Sequence, residues 1–361
     1  MAVKYCRPGL ATGANNGLTF ANAWQSFADM NTNMTAGDEI WIPYGTYTGS
    51  TLNVTQAGTA YNNRIIIRAC KTDGSAACSL YDILVNDEWI IIDGESSLTN
   101  CVSVNGGSFV SCMGVDVVNA TAEGWNFHTT TSNGFCMEAC GGSSCGGKLV
   151  EAKTYTRGLK VIGGKYRNNT ATGIESSVEG ATIEFAYFVN IPRAVSTSKY
   201  TKVHSNVFDA CGGGSRALVL GSTANVATNN VFYNCENCIY LATDYMKIER
   251  NRFADNTGTC VYVASFADKG IQLSFNAYYN NTTKLTIDGV VCDSLHEKDM
   301  TSHGMIDPAN GNYMSDPATD EAWNIENNID SINSAYTTAG LPPEITSGGG
   351  GPGRQRPWRF W

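Results

Sequence analysis

Hydrophobic and polar positions alternate along this chain in short runs that close on Asn or Gly, and the runs recur. Six of them align: "LKVIGGKYRNN" (159–169), "ATIEFAYFVNI" (181–191), "TKVHSNVFDAC" (201–211), "NVATNNVFYNC" (225–235), "MKIERNRFADN" (246–256) and "IQLSFNAYYNN" (271–281). One aromatic position reads Tyr166, Phe188, Phe208, Phe232, Phe253, Tyr278, at intervals of 22, 20, 24, 21 and 25 residues. Two residues earlier stand Asn206, Asn230, Asn251 and Asn276. Second short apolar strands, such as "TGIES" and "NCIYLAT", lie between the copies. Alternation of period two is a strand signal, and a closing Asn or Gly suits a left-handed corner.

No single copy can bury its own apolar face, so the copies must stack. Stacking places equivalent residues above one another at about 4.8 Å, with the aromatics in an internal column and the Asn side chains satisfying one another and the corner backbone. Period-two alternation with little Leu, Lys or Glu excludes a helical solenoid, and a propeller blade would need a repeat of roughly 40 residues or more. The pattern predicts an all-β, parallel β-helix.

The repeat Ile-x-x-Asn-x-Phe-x-x-Asn resembles the right-handed parallel β-helix, or pectin-lyase-like, superfamily. Near the N-terminus, "YCRPGLATGANNGLTFANAWQSFADMNTNMTAGDEIWIPYGTYTG" is similar to the segment that leads into such solenoids, which implies a short capping helix at about Ala21–Met30. Near the other end, "HGMIDPANGNYMSDPATDEAWNIENNIDSINSAYTTAG" resembles a closing segment that wraps back along the coils. The organisation expected is a capped leading segment (1–38), the β-helix (39–293), a closing segment (294–343), and a Gly-rich linker with a basic, aromatic tail (344–361). This fold carries lyases, hydrolases, isomerases, adhesins and viral spikes alike, so it does not specify function. Its enzymes generally work on acidic polysaccharides along an outer sheet, using acidic side chains, sometimes with calcium, and an Arg or Lys base.

Composition narrows the options. Hydrophobic residues make up 42% and charged residues 16%, enough for a large core, and 38 glycines fit many turns. Net charge is −9, or −12 without the tail's three arginines, which argues against nucleic acid as a partner. The N-terminus lacks an apolar signal-like stretch and no run approaches ~20 apolar residues, so cytoplasmic synthesis without membrane insertion is expected. The odd count of 13 cysteines fits reduced, buried thiols. "CMEACGGSSCGG" (Cys136, Cys140, Cys145) and "CENC" (Cys235, Cys238) lack the matching second pair that zinc requires.

Catalytic candidates were sought as outward residues in register. Glu184 beside His204 is an attractive pair, but Glu184 and Glu249 stand three coils, or about 14 Å, apart, beyond the roughly 5–9.5 Å of glycosidase carboxylates. Arg250 and Arg252 have no aspartate cluster for calcium beside them. Asp87, Glu88 and Asp93 read as a strand followed by a turn. His296, Glu297, Asp299 and His303 lack the helical metalloprotease spacing. The expectation is therefore no catalytic residues, no metal and no cofactor.

The tail, "SGGGGPGRQRPWRFW", follows a flexible glycine tract and has Pro352 and Pro357 to keep it extended. Arg354, Arg356, Trp358, Arg359, Phe360 and Trp361 are residue types enriched at binding hot spots. Together these features lead to an expected non-enzymatic, structural virion protein of a bacteriophage, a capsid decoration or spike, anchored to other virion proteins through the tail. A cell-surface glycan and a homotrimer are further partner candidates. The alternative is a polysaccharide lyase or glycoside hydrolase of the same fold.

Overall fold

The computed structural model describes residues 2–128, 132–153, 156–243, 245–264, 270–287, 290–292, 298–299, 305–307 and 312–315. They form a parallel β-solenoid of about ten turns. Three eleven-stranded sheets run its length, called here sheets 1, 2 and 3 in the order the chain visits them. A representative coil runs through Lys202–His204 in sheet 1, Val207–Asp209 in sheet 2 and Leu218–Leu220 in sheet 3, and returns to sheet 1 at Val226–Thr228. Neighbouring coils pair in parallel and in register, for example Phe208 with Phe232 and His204 with Thr228.

The aromatic column lies inside, as its spacing predicts. From Tyr166 to Tyr278 successive rings stack with centroids 4.6–5.2 Å apart and interplanar angles of 3–19°. Tight strand pairing fixes one rung per coil, so identical side chains must stack or clash; flat rings stack. The asparagines two residues earlier sit at the corner between sheets 1 and 2, fully buried. Asn230, Asn251 and Asn276 each accept from the backbone N–H and the side-chain amide of the Asn one coil before, as Asn230 Oδ1 does from Asn206 at 3.0 Å, while Asn206 Oδ1 accepts from Ala186 N at 2.9 Å. The residue before each Asn is left-handed, with φ of 59° at Ser205 and 56° at Asn229. The ladder is what satisfies a corner whose backbone cannot join a sheet.

The capping helix differs from expectation. The helix α1 spans Phe27–Asn33, preceded by a 3-10 turn at Phe20–Asn22, rather than running from Ala21 to Met30. Ser26 is the reason: its hydroxyl accepts from Asp29 N and starts the helix there, while Trp24 is held in a bridge to Cys6. Phe27 and Met30 then close the end of the core. Strand Ala2–Tyr5, inside the leading segment, already pairs with sheet 1. A second helix, α2 (Leu80–Leu84), starts in a Ser79–Asp82 capping box and lies outside the solenoid.

Twelve cysteines among the described residues are buried and unbonded. Burial pushes the Cys145 thiol up to about 11 and the Cys101 thiol up to about 12.

Candidate active site

Each sheet presents an outer face with its own chemistry. On sheet 1, Glu184 Oε2 and His204 Nε2 meet at 2.7 Å, the pair expected from the sequence. The register confirms three coil steps from Glu184 to Glu249, which contacts Lys247 at 2.8 Å instead. Arg250 is a left-handed corner residue and Arg252 is fully buried, so they do not form a basic surface pair. Asp93 accepts from Glu95 N and from the Asn119 amide, the turn role expected of it.

On sheet 2, Asp116 is buried and bonded through Oδ2 to Arg167 at 2.8 Å. Burial raises the Asp116 carboxyl above its ordinary value despite that arginine. Lys165, whose ammonium burial pulls down, donates to Leu84 O at 2.8 Å, at the C-terminal end of α2. A cation there satisfies a terminal carbonyl, so Lys165 anchors α2 to the solenoid.

Sheet 3 carries the arrangement with the most chemical scope. One outward residue per coil forms a row: Asn126, Glu151, Glu175 and Ser196, continuing to Tyr240 and Tyr262. Glu151 and Glu175 are direct partners on adjacent strands. Lys148 Nζ lies 2.6 Å from Glu151 Oε1 and 2.8 Å from Glu175 Oε1, and Lys153 Nζ lies 3.0 Å from Glu151 Oε2. Two oxygens on one ammonium can be no farther apart than the sum of those distances. These two oxygens are therefore closer together than the roughly 6.5–9.5 Å that separates the carboxyl groups of inverting glycosidases, which leaves the pair on the short, retaining side. Glu151 is the more enclosed, with 16% of its side chain exposed against 31% for Glu175. Burial acts to raise the Glu151 carboxyl, but the hydrogen bonds from Lys148 and Lys153 outweigh it and hold Glu151 below the usual carboxylate range. Lys148 is correspondingly raised: its own burial opposes the charge, and its bonds to Glu151 and Glu175 prevail.

Beside the pair, Asn126 is 5% exposed and donates to Glu123 at 3.3 Å, while its Oδ1 has no partner among the described residues. A buried acceptor without a donor is costly, and a ligand hydroxyl would satisfy it. Farther along the row, the Tyr240 and Tyr262 rings stack at 5.6 Å with the Arg216 guanidinium 5.3 Å from the Tyr262 centroid.

Sequence reasoning missed Glu151 and Glu175. They sit outside the six aligned segments, in the third strand of each coil, and the turns before sheet 3 vary in length. The available signal was the pair of triplets "VEA" (150–152) and "IES" (174–176), one repeat apart. His296, Glu297 and His303 lie outside the described residues, as do Arg354, Arg356, Trp358, Arg359, Phe360 and Trp361; of Asp299 only the backbone is described. Among the described residues no group of three or more His, Cys, Asp or Glu is placed to hold a metal ion. No helix there is long and apolar enough to cross a membrane.

Comparison with known proteins agrees on class. Residues 149–294 match the family described as "Right handed beta helix region". The match covers the C-terminal coils of the described solenoid, and the fold of the chain is a right-handed parallel β-helix. No curated protein matches the sequence. Among solved structures, pectate lyase Pel9A is 16% identical with a TM-score of 0.50, covering 82% of this chain and 79% of that one. A GH136 lacto-N-biosidase from Eubacterium ramulus is 9% identical (TM-score 0.46, 82% and 67% covered). The PL6 family alginate lyase AlyGC is 11% identical (TM-score 0.42, 90% and 56% covered).

The pectate lyase likeness corrects the expectation that the chain is not an enzyme. The protein that shares its fold at the highest of these scores is a pectate lyase, and the argument for inactivity rested on widely spaced carboxylates of sheet 1 alone. Sheet 3 holds a close pair.

Proposed function

We propose that this protein is a polysaccharide-degrading enzyme that cleaves a glycosidic bond on the outer face of sheet 3, with Glu151 and Glu175 as its carboxylates. The observation that carries the reading is the pairing of these glutamates on adjacent rungs, both held by one lysine and so too close for the inverting arrangement. Glu151 faces two ammoniums and Glu175 one, so Glu151 is the carboxylate better kept ionised and is assigned as nucleophile. Glu175, the more exposed, is assigned to protonate the leaving oxygen and then to deprotonate the attacking water. Lys148 holds both side chains in register, and Asn126 Oδ1 is available to a sugar hydroxyl beside the nucleophile. The pectate lyase likeness supports a polysaccharide as the kind of substrate this fold presents along its axis.

The test is release of reducing ends from a panel of neutral and acidic polysaccharides, comparing the full chain with Glu151→Gln and Glu175→Gln. Each substitution should lower turnover by at least about 100-fold, general acid–base catalysis alone accounting for 10²–10⁴. Activity retained by both variants would dismiss the pair. Activity lost instead on Glu184→Gln or His204→Ala would move the site to sheet 1.

A further inference from the structure

Sheet 3 turns into sheet 1 through a corner whose pivot residue, two positions before the sheet 1 strand, is left-handed. Gly134, Gly158, Gly180 and Gly270 fill it in four coils, where a residue without Cβ adopts that backbone freely. Tyr200 and Tyr245 fill it in two others, with φ of 57° and 54°. A bulky side chain in this region is an outlier that the fold does not require, since glycine turns the same corner elsewhere in the same solenoid.

The two tyrosines gain no burial in return: they are 58% and 65% exposed. A Cβ built on Gly270 would stand 2.9 Å from Tyr245 Cδ1, so the Tyr245 ring rests against the bare corner of the next coil and turns its other side to solvent. Tyr61 does the same lower in the stack. It is 58% exposed, and a Cβ on Gly134 would meet its Oη at 3.0 Å and its Cε1 at 3.1 Å. The row thus carries an exposed ring at the Gly134 rung, another three rungs on at Tyr200 and a third two rungs beyond that. At about 4.8 Å per rung these steps are roughly 14 and 10 Å.

We infer that this corner row is a binding surface for a polysaccharide strand lying along the solenoid axis, its pyranose rings stacking on Tyr61, Tyr200 and Tyr245. Strained, exposed residues persist where function holds them, and here the strain places an aromatic ring where glycine would suffice. The spacing selects the occupant. Isolated rings separated by bare glycine and alanine corners do not make the contiguous, dehydrated core that a protein partner needs. They do match a linear polymer that offers a flat C–H face at regular intervals and bridges the gaps itself. The surface is separate from the Glu151–Glu175 pair, and binding there requires no cleavage.

Affinity electrophoresis of the full chain in native gels cast with polygalacturonate, alginate or xylan tests this directly, alongside Tyr200→Gly, Tyr245→Gly and the double variant. At least one polymer should retard the wild type, and the double variant should lose affinity at least tenfold. Its melting temperature should be unchanged or raised by up to about 2 °C, because glycine relieves the left-handed strain. Glu151→Gln should still be retarded, which keeps the result independent of the catalytic reading. Undiminished retardation of the double variant, or no retardation of the wild type by any of the three, would overturn the inference. So would a lower melting temperature in either single variant, which would make the tyrosines structural.

Discussion

Replacing Asn230 by Ala probes the ladder that links four successive coils from Asn206 to Asn276. Asn230 is fully buried and its side chain makes four bonds. Oδ1 accepts from Asn206 N and Nδ2, and Nδ2 donates to Val203 O and Asn251 Oδ1, all at 3.0 Å. Truncation leaves the buried Asn206 N–H without its acceptor, which costs about 1–3 kcal/mol. The Asn206 amide keeps Ile183 O and His204 O, and Asn251 Oδ1 keeps Asn230 N, so the other three losses are ordinary bonds at about 0.5–1.5 kcal/mol each. The total is about 2.5–7.5 kcal/mol. Urea unfolding should show it as a lower midpoint at constant slope. Asn190→Gly is the control: Asn190 is exposed and left-handed with φ 52°, and its change should stay within about 0.5 kcal/mol. Asn230→Asp separates acceptor from donor. It can still accept from Asn206 but, ionised, cannot donate to Val203 O or Asn251 Oδ1, so it should be worse than Ala at neutral pH and recover part of the loss as the pH falls. A loss below about 1 kcal/mol for Asn230→Ala would refute the claim that the ladder holds the corner.

Phe232→Ala should cost about 3–5 kcal/mol by emptying one rung of the aromatic stack, read from the same urea titration; a loss under about 1 kcal/mol would mean the ring is not packed. Asp82 is pulled to about 2 by hydrogen bonds from the Lys71 ammonium and the Ser79 hydroxyl. Its stabilisation of α2 is therefore complete above about pH 4 and is lost as the pH falls through about 2, so the stability gap between wild type and Asp82→Asn should close over that window and stay constant above it. The described cysteines are all buried, so a thiol reagent at pH 8 should label at most one cysteine in the native protein and all thirteen after denaturation.

The fold was legible because a solenoid repeats its core. Phe188, Phe208, Phe232 and Phe253 occupy identical environments, so one chemical demand is written four times, and the asparagines repeat in the same way. The position of α1 was not legible because Ser26, its cap, lies inside an amphipathic stretch that reads as helix from Ala21 onward. The site was hidden for the opposite reason to the fold. The proposed catalysis needs one pair of glutamates in one place, and Glu151 and Glu175 interrupt the row rather than repeat along it. Sheet 3 strands also follow turns of unequal length, which breaks the alignment that exposes sheets 1 and 2. The juxtaposition of Lys148 with both carboxylates exists only once coils are stacked.

The central claim is bond cleavage by double displacement at Glu151 and Glu175. Proton NMR of the first products, released from whichever polysaccharide the full chain degrades, tests it directly by recording the anomer before mutarotation. The account predicts retention of configuration, abolished by Glu151→Gln. Inversion, or an unsaturated product formed by elimination, would contradict it.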